Sequence, residues 1–366
     1  MQPNPASKCC RDLLLGVRSA LLVLLTFVGL QAGVCGQGAV QTGAVDTNSP
    51  PLSASGGLSL AALDHAARNT DVTIVELRRF FDATGLIATT REEVRIDANG
   101  TSSAPFSLTY LGLEGDLPGS PKWLHWGQNY QRFAGLFHQH GGFRVRDVAL
   151  AEANYTLHPF GSVVRAGRPA ERVVVFPNRL DKAIWLLEVD SATNIPLYSA
   201  EYNASFQLLS EVEAISFTAS VQLTNPHSSP MVMTTHASFA GASSALNIPG
   251  LVEPSTSFTG EYRLSTVQVA DNPLNNRRSM VLTYTDGIDE FFVIESPGVP
   301  EYFAGLPSQS KGGVGATNTI ARYQDPTMRV LLFWDDGVGF QVAGRGSLGR
   351  LDGLAKSIYT QAVLGR

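Results

Sequence analysis

Cysteine is almost absent. Cys9, Cys10 and Cys35 are the only three, and all precede Gly36. A chain that loses its leader therefore has no disulfide, no thiol chemistry and no cysteine-based metal site, and its stability rests on burial. Charge is sparse too. Charged residues make up 16% of the chain and the net charge is −5. A nucleic-acid partner needs clustered Lys and Arg to neutralise phosphate, so this balance argues against one. The common catalytic signatures are missing: there is no Gly-x-Ser-x-Gly, no His-Glu-x-x-His, no P-loop and no paired cysteine motif. His138 and His140 would share a strand face, but no carboxylate accompanies them in the neighbouring loop. Asp335-Asp336-Gly337 offers too few oxygen ligands for a calcium loop, and Gly312-Gly313-Val314-Gly315 lacks the helix that a phosphate cradle needs. The expectation is a binding protein rather than an enzyme, without cofactor or metal.

Apolar residues are plentiful, at 44% of 366 residues, which is enough for about two domains. Lys8, Arg11 and Arg18 precede an apolar run from Ala20 to Leu30, and small residues follow up to Gly36. This pattern predicts a signal peptide over 1–36, with a mature chain beginning near Gln37. A retained anchor and lipidation at Cys35 are alternatives, although Ala32-Gly33-Val34 fits a lipobox poorly. Residues 37–57 are rich in Gly, Ala, Ser, Pro and Thr without periodicity and read as a flexible tether.

The rest reads as α+β. Leu58–Ala67 has the apolar spacing of a short helix, and Val72–Phe81, Thr89–Ile96 and Phe106–Leu113 read as strands. Asp147–Tyr155 reads as a second helix. Four further strand-like runs follow, Glu171–Phe176, Lys182–Val189, Ile195–Tyr202 and Phe206–Phe217, divided by Pro, Asn, Asp and Ser clusters. Their alternation is informative. Trp185 and Leu187 share one face of a strand whose other face carries Ile184 and Leu186. An antiparallel sheet with one wet face alternates cleanly, so something covers the second face: a packed helix, another domain or a lipid-like ligand. Pro121–His140 carries Trp123, Trp126, Tyr130, Phe133 and Phe137. Periodicity does not decide between strand pair and helix there, nor between ordinary core and the wall of an apolar cavity.

Residues 223–259 hold several Pro and many small residues and read as a linker between a first domain, 58–222, and a second, 260–366. In the second, Glu261–Val269, Ser279–Tyr284, Glu290–Ile294, Val314–Tyr323 and Arg329–Trp334 read as strands. Asp286-Gly287 and Asp336-Gly337 mark hairpins. Leu348, Leu351, Leu354, Ile358 and Ala362 predict a closing helix.

Several segments together resemble the MucB/RseB family of periplasmic regulators of an envelope-stress sigma factor. They are Val164-Arg165-Ala166-Gly167-Arg168, Val173–Pro177, Trp185–Asp190 and Ile195-Pro196-Leu197 in the first domain. Tyr284–Gly287, Phe291–Ile294 and Gly313–Asn318 carry it in the second. The segment that typically opens the family's second domain is replaced here by Asn272-Pro273-Leu274. The resemblance implies a half-open antiparallel β-barrel with covering helices, like the LolA/LolB lipoprotein carriers, followed by a smaller C-terminal α+β domain. It implies a periplasmic protein that binds the periplasmic part of a membrane anti-sigma factor and senses a lipid-like ligand. Under that reading Trp123, Trp126, Tyr130, Trp185, Tyr198 and Tyr202 line an apolar cavity, and the hairpin at Asp286 and Gly287 contacts the partner. The alternative on the same fold is a periplasmic carrier of lipid or lipoprotein acyl chains.

Overall fold

The computed structural model describes residues 57–82, 84–97, 106–115, 124, 126–128, 130–131, 141–179, 181–220, 232–253, 255, 257–258, 261–272, 277–297, 310–314, 318–324, 328–335, 338–345 and 348–364. The predicted leader, the tether up to residue 56, Trp123, His138 and His140 lie outside them. The class is the expected α+β, with two antiparallel sheets and four helices among the described residues.

The first sheet has eight strands: β1 (Val72–Asp82), β2 (Gly85–Ile96), β3 (Phe106–Glu114), β4 (Tyr155–Arg165), β5 (Arg168–Pro177), β6 (Ile184–Asp190), β7 (Pro196–Tyr202) and β8 (Leu208–Thr218). Their order is β3-β2-β1-β8-β7-β6-β5-β4, so the sheet is open, with β3 and β4 as its edges. Helix α1 (Leu60–Asn69) starts where the Ser59 hydroxyl accepts the Ala62 N–H at 3.1 Å. Helix α2 (Val148–Asn154) starts where the Asp147 carboxylate accepts the Leu150 N–H at 2.9 Å.

Register fixes the faces. Trp185 and Leu187 of β6 stand opposite Val175 and Val173 of β5, and this side packs with Leu60 and Leu63 of α1 and Ala151 of α2. The other side carries Leu186 and Glu188 of β6, Arg172 of β5, Tyr198 of β7, Glu211 and Glu213 of β8 and Arg79 of β1. Every residue of β6 is buried, so both faces are covered, as its apolar run predicted. Arg165 on β4 bonds Glu213 on β8 at 2.5 Å, with three strands between them. In a flat sheet those strands would lie about 19 Å apart, too far for the two side chains to meet. The sheet is therefore strongly coiled.

The second sheet contains β9 (Val232–His236), β10 (Ser257–Phe258), β11 (Tyr262–Asn272), β12 (Arg277–Thr285), β13 (Glu290–Pro297), β14 (Ser310–Val314), β15 (Asn318–Gln324), β16 (Arg329–Asp335) and β17 (Val338–Gly344). Its order is β10-β11-β12-β13-β17-β16-β15-β14, with β9 also on β11. Helix α3 (Phe239–Leu246) and helix α4 (Leu348–Leu364) supply Phe239, Ala242, Leu351, Leu354 and Ile358 to its core. They pack there with Met280, Leu282, Tyr284, Phe291, Phe333 and Phe340. Part of the stretch read as a linker is thus built into this sheet. Val232–His236 pairs with β11, and Phe239–Leu246 is a helix capped by Ser238 and ended by Asn247 at φ 52°.

Candidate functional site

Both sheets belong to one unit, Ala54–Arg366, and a cluster of buried ionic groups lies where they meet. The hairpin between β12 and β13 makes the contact. Its tip folds on itself because the Asp286 carboxylate accepts the N–H groups of Ile288 at 3.2 Å and Asp289 at 2.9 Å. Gly287 sits at φ +108°, a conformation that favours glycine. A Cβ there would lie 2.1 Å from the Ala151 backbone nitrogen. The Gly287 carbonyl accepts the Arg146 N–H at 2.8 Å, and Ile288 enters the apolar cluster of the first sheet beside Trp185 and Tyr155.

Ionic contacts surround that tip. Lys182, with its side chain 1% exposed, lies 2.6 Å from Asp286 and 3.1 Å from Glu261. Its ammonium also faces the Tyr155 and Tyr262 rings at 5.4 and 5.5 Å. The Tyr155 hydroxyl donates to Asp286 at 3.0 Å, and the Tyr262 hydroxyl donates to Asp289 at 2.7 Å. Burial pushes both tyrosines well above their ordinary pKa, so they remain donors. Arg350 of α4 stacks over Tyr262 at 4.6 Å, and Arg146 pairs with Glu290 at 3.0 Å. A second link joins the sheets where Arg345 pairs with Glu201 and donates to the Ser210 hydroxyl at 2.8 Å.

Asp286 and Gly287, the sequence-based choice for a partner-facing hairpin, are therefore buried inside the molecule, and the chain's own α2 occupies their surface. The six rings named from the sequence fall into separate groups. Trp126 and Tyr130 pack edge to face on Phe80, with centroids at 5.3 and 5.5 Å. Tyr130 donates to the buried Glu92 at 2.5 Å. Trp185 packs on Phe143 at 5.6 Å within the cluster that receives Ile288. Tyr198 and Tyr202 stand on the opposite face, where Tyr198 donates to Glu211 at 2.9 Å and Arg165 stacks over its ring at 4.9 Å. Burial, with Glu211 beside it, also holds the Tyr198 hydroxyl protonated. Trp123 lies outside the described residues.

Lys182, Tyr155, Glu261, Tyr262, Asp289 and Arg350 were not singled out from the sequence. The available signal was Lys182 two residues before the strongly apolar run Ile184–Leu187. Among the described residues, no group of three or more His, Cys, Asp or Glu is placed to hold a metal. Nor is any described helix long and apolar enough to cross a membrane.

Neither a family model nor a curated protein sequence matches the chain. Among solved structures it is similar to MucB, at 18% identity and TM-score 0.44 over 82% of this chain and 95% of that one. It is similar to MucB in complex with MucA(peri), at 17% identity and TM-score 0.41 over 81% and 95%. It is similar as well to the Pseudomonas aeruginosa MucA/MucB complex, at 18% identity and TM-score 0.40 over the same shares.

Proposed function

We propose that this chain is an exported regulatory binding protein that holds the periplasmic part of a membrane anti-sigma factor. The observation that carries the reading is the joint between the sheets. The end of the Tyr284–Gly287 segment, one of those resembling the MucB/RseB family, docks into the first sheet through Asp286 and Gly287, with Ile288 beside them. Two sheets locked by a buried hairpin suit a protein that holds a partner without transforming it. One solved structure to which the chain is similar is MucB in complex with MucA(peri). A predicted leader and a chain of low charge fit an envelope location.

Lipid sensing is the finer part of the proposal. Leu111 and Leu113, on the strand β3 that supplies Leu108 to the Phe80–Trp126–Tyr130 cluster, and Leu124, two residues before Trp126, are exposed. That corner of the first sheet is where an acyl chain would lodge, each buried CH₂ contributing about 0.8 kcal/mol. The carrier alternative draws on the same leucines.

The experiment mixes the chain from Gln37 onward with the soluble outer segment of each single-span anti-sigma factor of its host. Calorimetry and protease protection are then read. A stoichiometric complex that resists cleavage, and that an added long-chain lipid disrupts, is the expected result. No complex with any of these segments would overturn the regulator reading. Lipid retained by the protein in native mass spectrometry under those conditions would favour the carrier.

A further inference from the structure

The joint is unevenly charged. Three carboxylates meet there: Asp286 and Asp289 from the hairpin, and Glu261 just before β11. Two largely buried cations reach them, Lys182 from the first sheet and Arg350 from α4. Asp286 has Lys182 at 2.6 Å, and Glu261 has Lys182 at 3.1 Å with the exposed Arg179 at 2.7 Å. Asp289 is differently placed. Its oxygens accept from neutral donors, the Tyr262 hydroxyl at 2.7 Å and the Glu290 N–H at 2.9 Å. Arg350 stands 3.7 Å away, and Asp286 shares the same turn. Around this pair, Tyr155, Arg146 and Glu201 face it from the first domain, and Glu290 adjoins Asp289 in the second. Arg146–Glu290 and Arg345–Glu201 are already paired with each other.

We propose that this joint is a proton-dependent latch. It takes up a proton at Asp289 as it closes, so mild acid holds the two sheets together more tightly than neutral pH. A protonated Asp289 removes the surplus negative charge beside Asp286 and keeps its contact with the Tyr262 hydroxyl. The electrostatics agree in direction. Burial pushes the Asp289 carboxyl from 3.8 up to about 6, and Asp286 adds to the rise, while Arg350 and the Tyr262 hydroxyl pull against it.

The sign follows from linkage. Between 3.8 and about 6 the closed joint binds the proton that the opened, hydrated one releases. Stability of the closed state is therefore greatest near the lower limit. It falls as pH rises through the window and is flat above it. A carboxyl raised by this amount changes the opening equilibrium about a hundredfold across the window.

Hydrogen exchange at the Ile288 and Asp289 amides, which bond to the Asp286 carboxylate, reads the opening directly. The full mature chain is compared with Asp289→Asn, whose amide has the shape of the protonated acid. After correction for the intrinsic rate, wild-type protection should fall by up to about a hundredfold as pH rises across the window. The variant should lack this component, being better protected than wild type at neutral pH and equal to it at the acidic end. The same pH dependence in both proteins would overturn the latch. So would an Asp289 carboxyl found by carbon-detected NMR of the wild type to titrate at the ordinary carboxylate value, a measurement that stands even if the variant does not fold.

Discussion

Lys182 precedes a strand with no exposed residue, and its ammonium is shared by Asp286 and Glu261. Removing one partner of a buried pair leaves the other charge without compensation, which costs about 3–5 kcal/mol. Lys182→Met keeps the stem and deletes the charge, so urea unfolding should show a loss of that order. Adding Asp286→Asn to it should recover part of the loss. Equal stability of the single and double variants would mean that Lys182 acts through packing alone. At this scale the sequence was partly legible. Trp126, Tyr130 and Trp185 were singled out as large rings and are buried. Which rings would meet was not legible, because that depends on which strands carry them and on strand parity. A lysine in the core is legible only once its acids, 79 and 104 positions further along the chain, are seen beside it.

Elements were more legible than residues. Six of the eight strands of the first sheet, β1, β3, β5, β6, β7 and β8, lie within a few residues of the runs read from alternation and turn clusters, and the core of β2 does as well. The exception was β4. No strand is read there from the sequence; β4 is an edge strand with a bulge between Pro159 and Gly161, where the missing N–H and the loss of regular pairing are tolerated. Helix α3 was missed for a different reason. Its Gly, Ala and Ser residues have the composition of a linker, and the spacing of Phe239, Ala242 and Leu246 was the only sign of a buried stripe. The β12–β13 hairpin was read correctly as a turn, but a turn signal cannot say what its tip will press against. Gly287→Ala should test that seat. Strain at its φ costs about 1–3 kcal/mol, and the collision with Ala151 adds to it. Gly85→Ala has a similar φ, +120°, and open space around it. Calorimetry should therefore show a clearly larger drop in Tm for Gly287→Ala than for Gly85→Ala. Equal drops would mean that the hairpin yields without cost.

For the whole molecule, the α+β class and the open antiparallel sheet were legible, while the way the two sheets depend on each other was not. A chain cut after residue 220 loses Ile288 from the cluster around Trp185, an apolar contribution of about 1.5–3 kcal/mol on its own. It also leaves Lys182 without both of its acids. Such a fragment should unfold at lower urea than the full chain and bind a hydrophobic dye. A fragment as stable as the full chain and inert to dye would show that the joint contributes little. A cut near residue 255 is a poorer test, because it strands β9 and α3 without the sheet they pack on. The placement of the indoles has one more consequence. Trp185 shares a cluster with Ile288 and packs edge-on to Phe143, whereas Trp126 is sealed against Phe80 and Tyr130 in a separate cluster. Indole emission shifts to the red when water arrives, so the molecule carries its own optical gauge. Parting of the sheets would take Ile288 away from Trp185 and redden its emission, and would also remove Met328 from the cluster that holds Trp126.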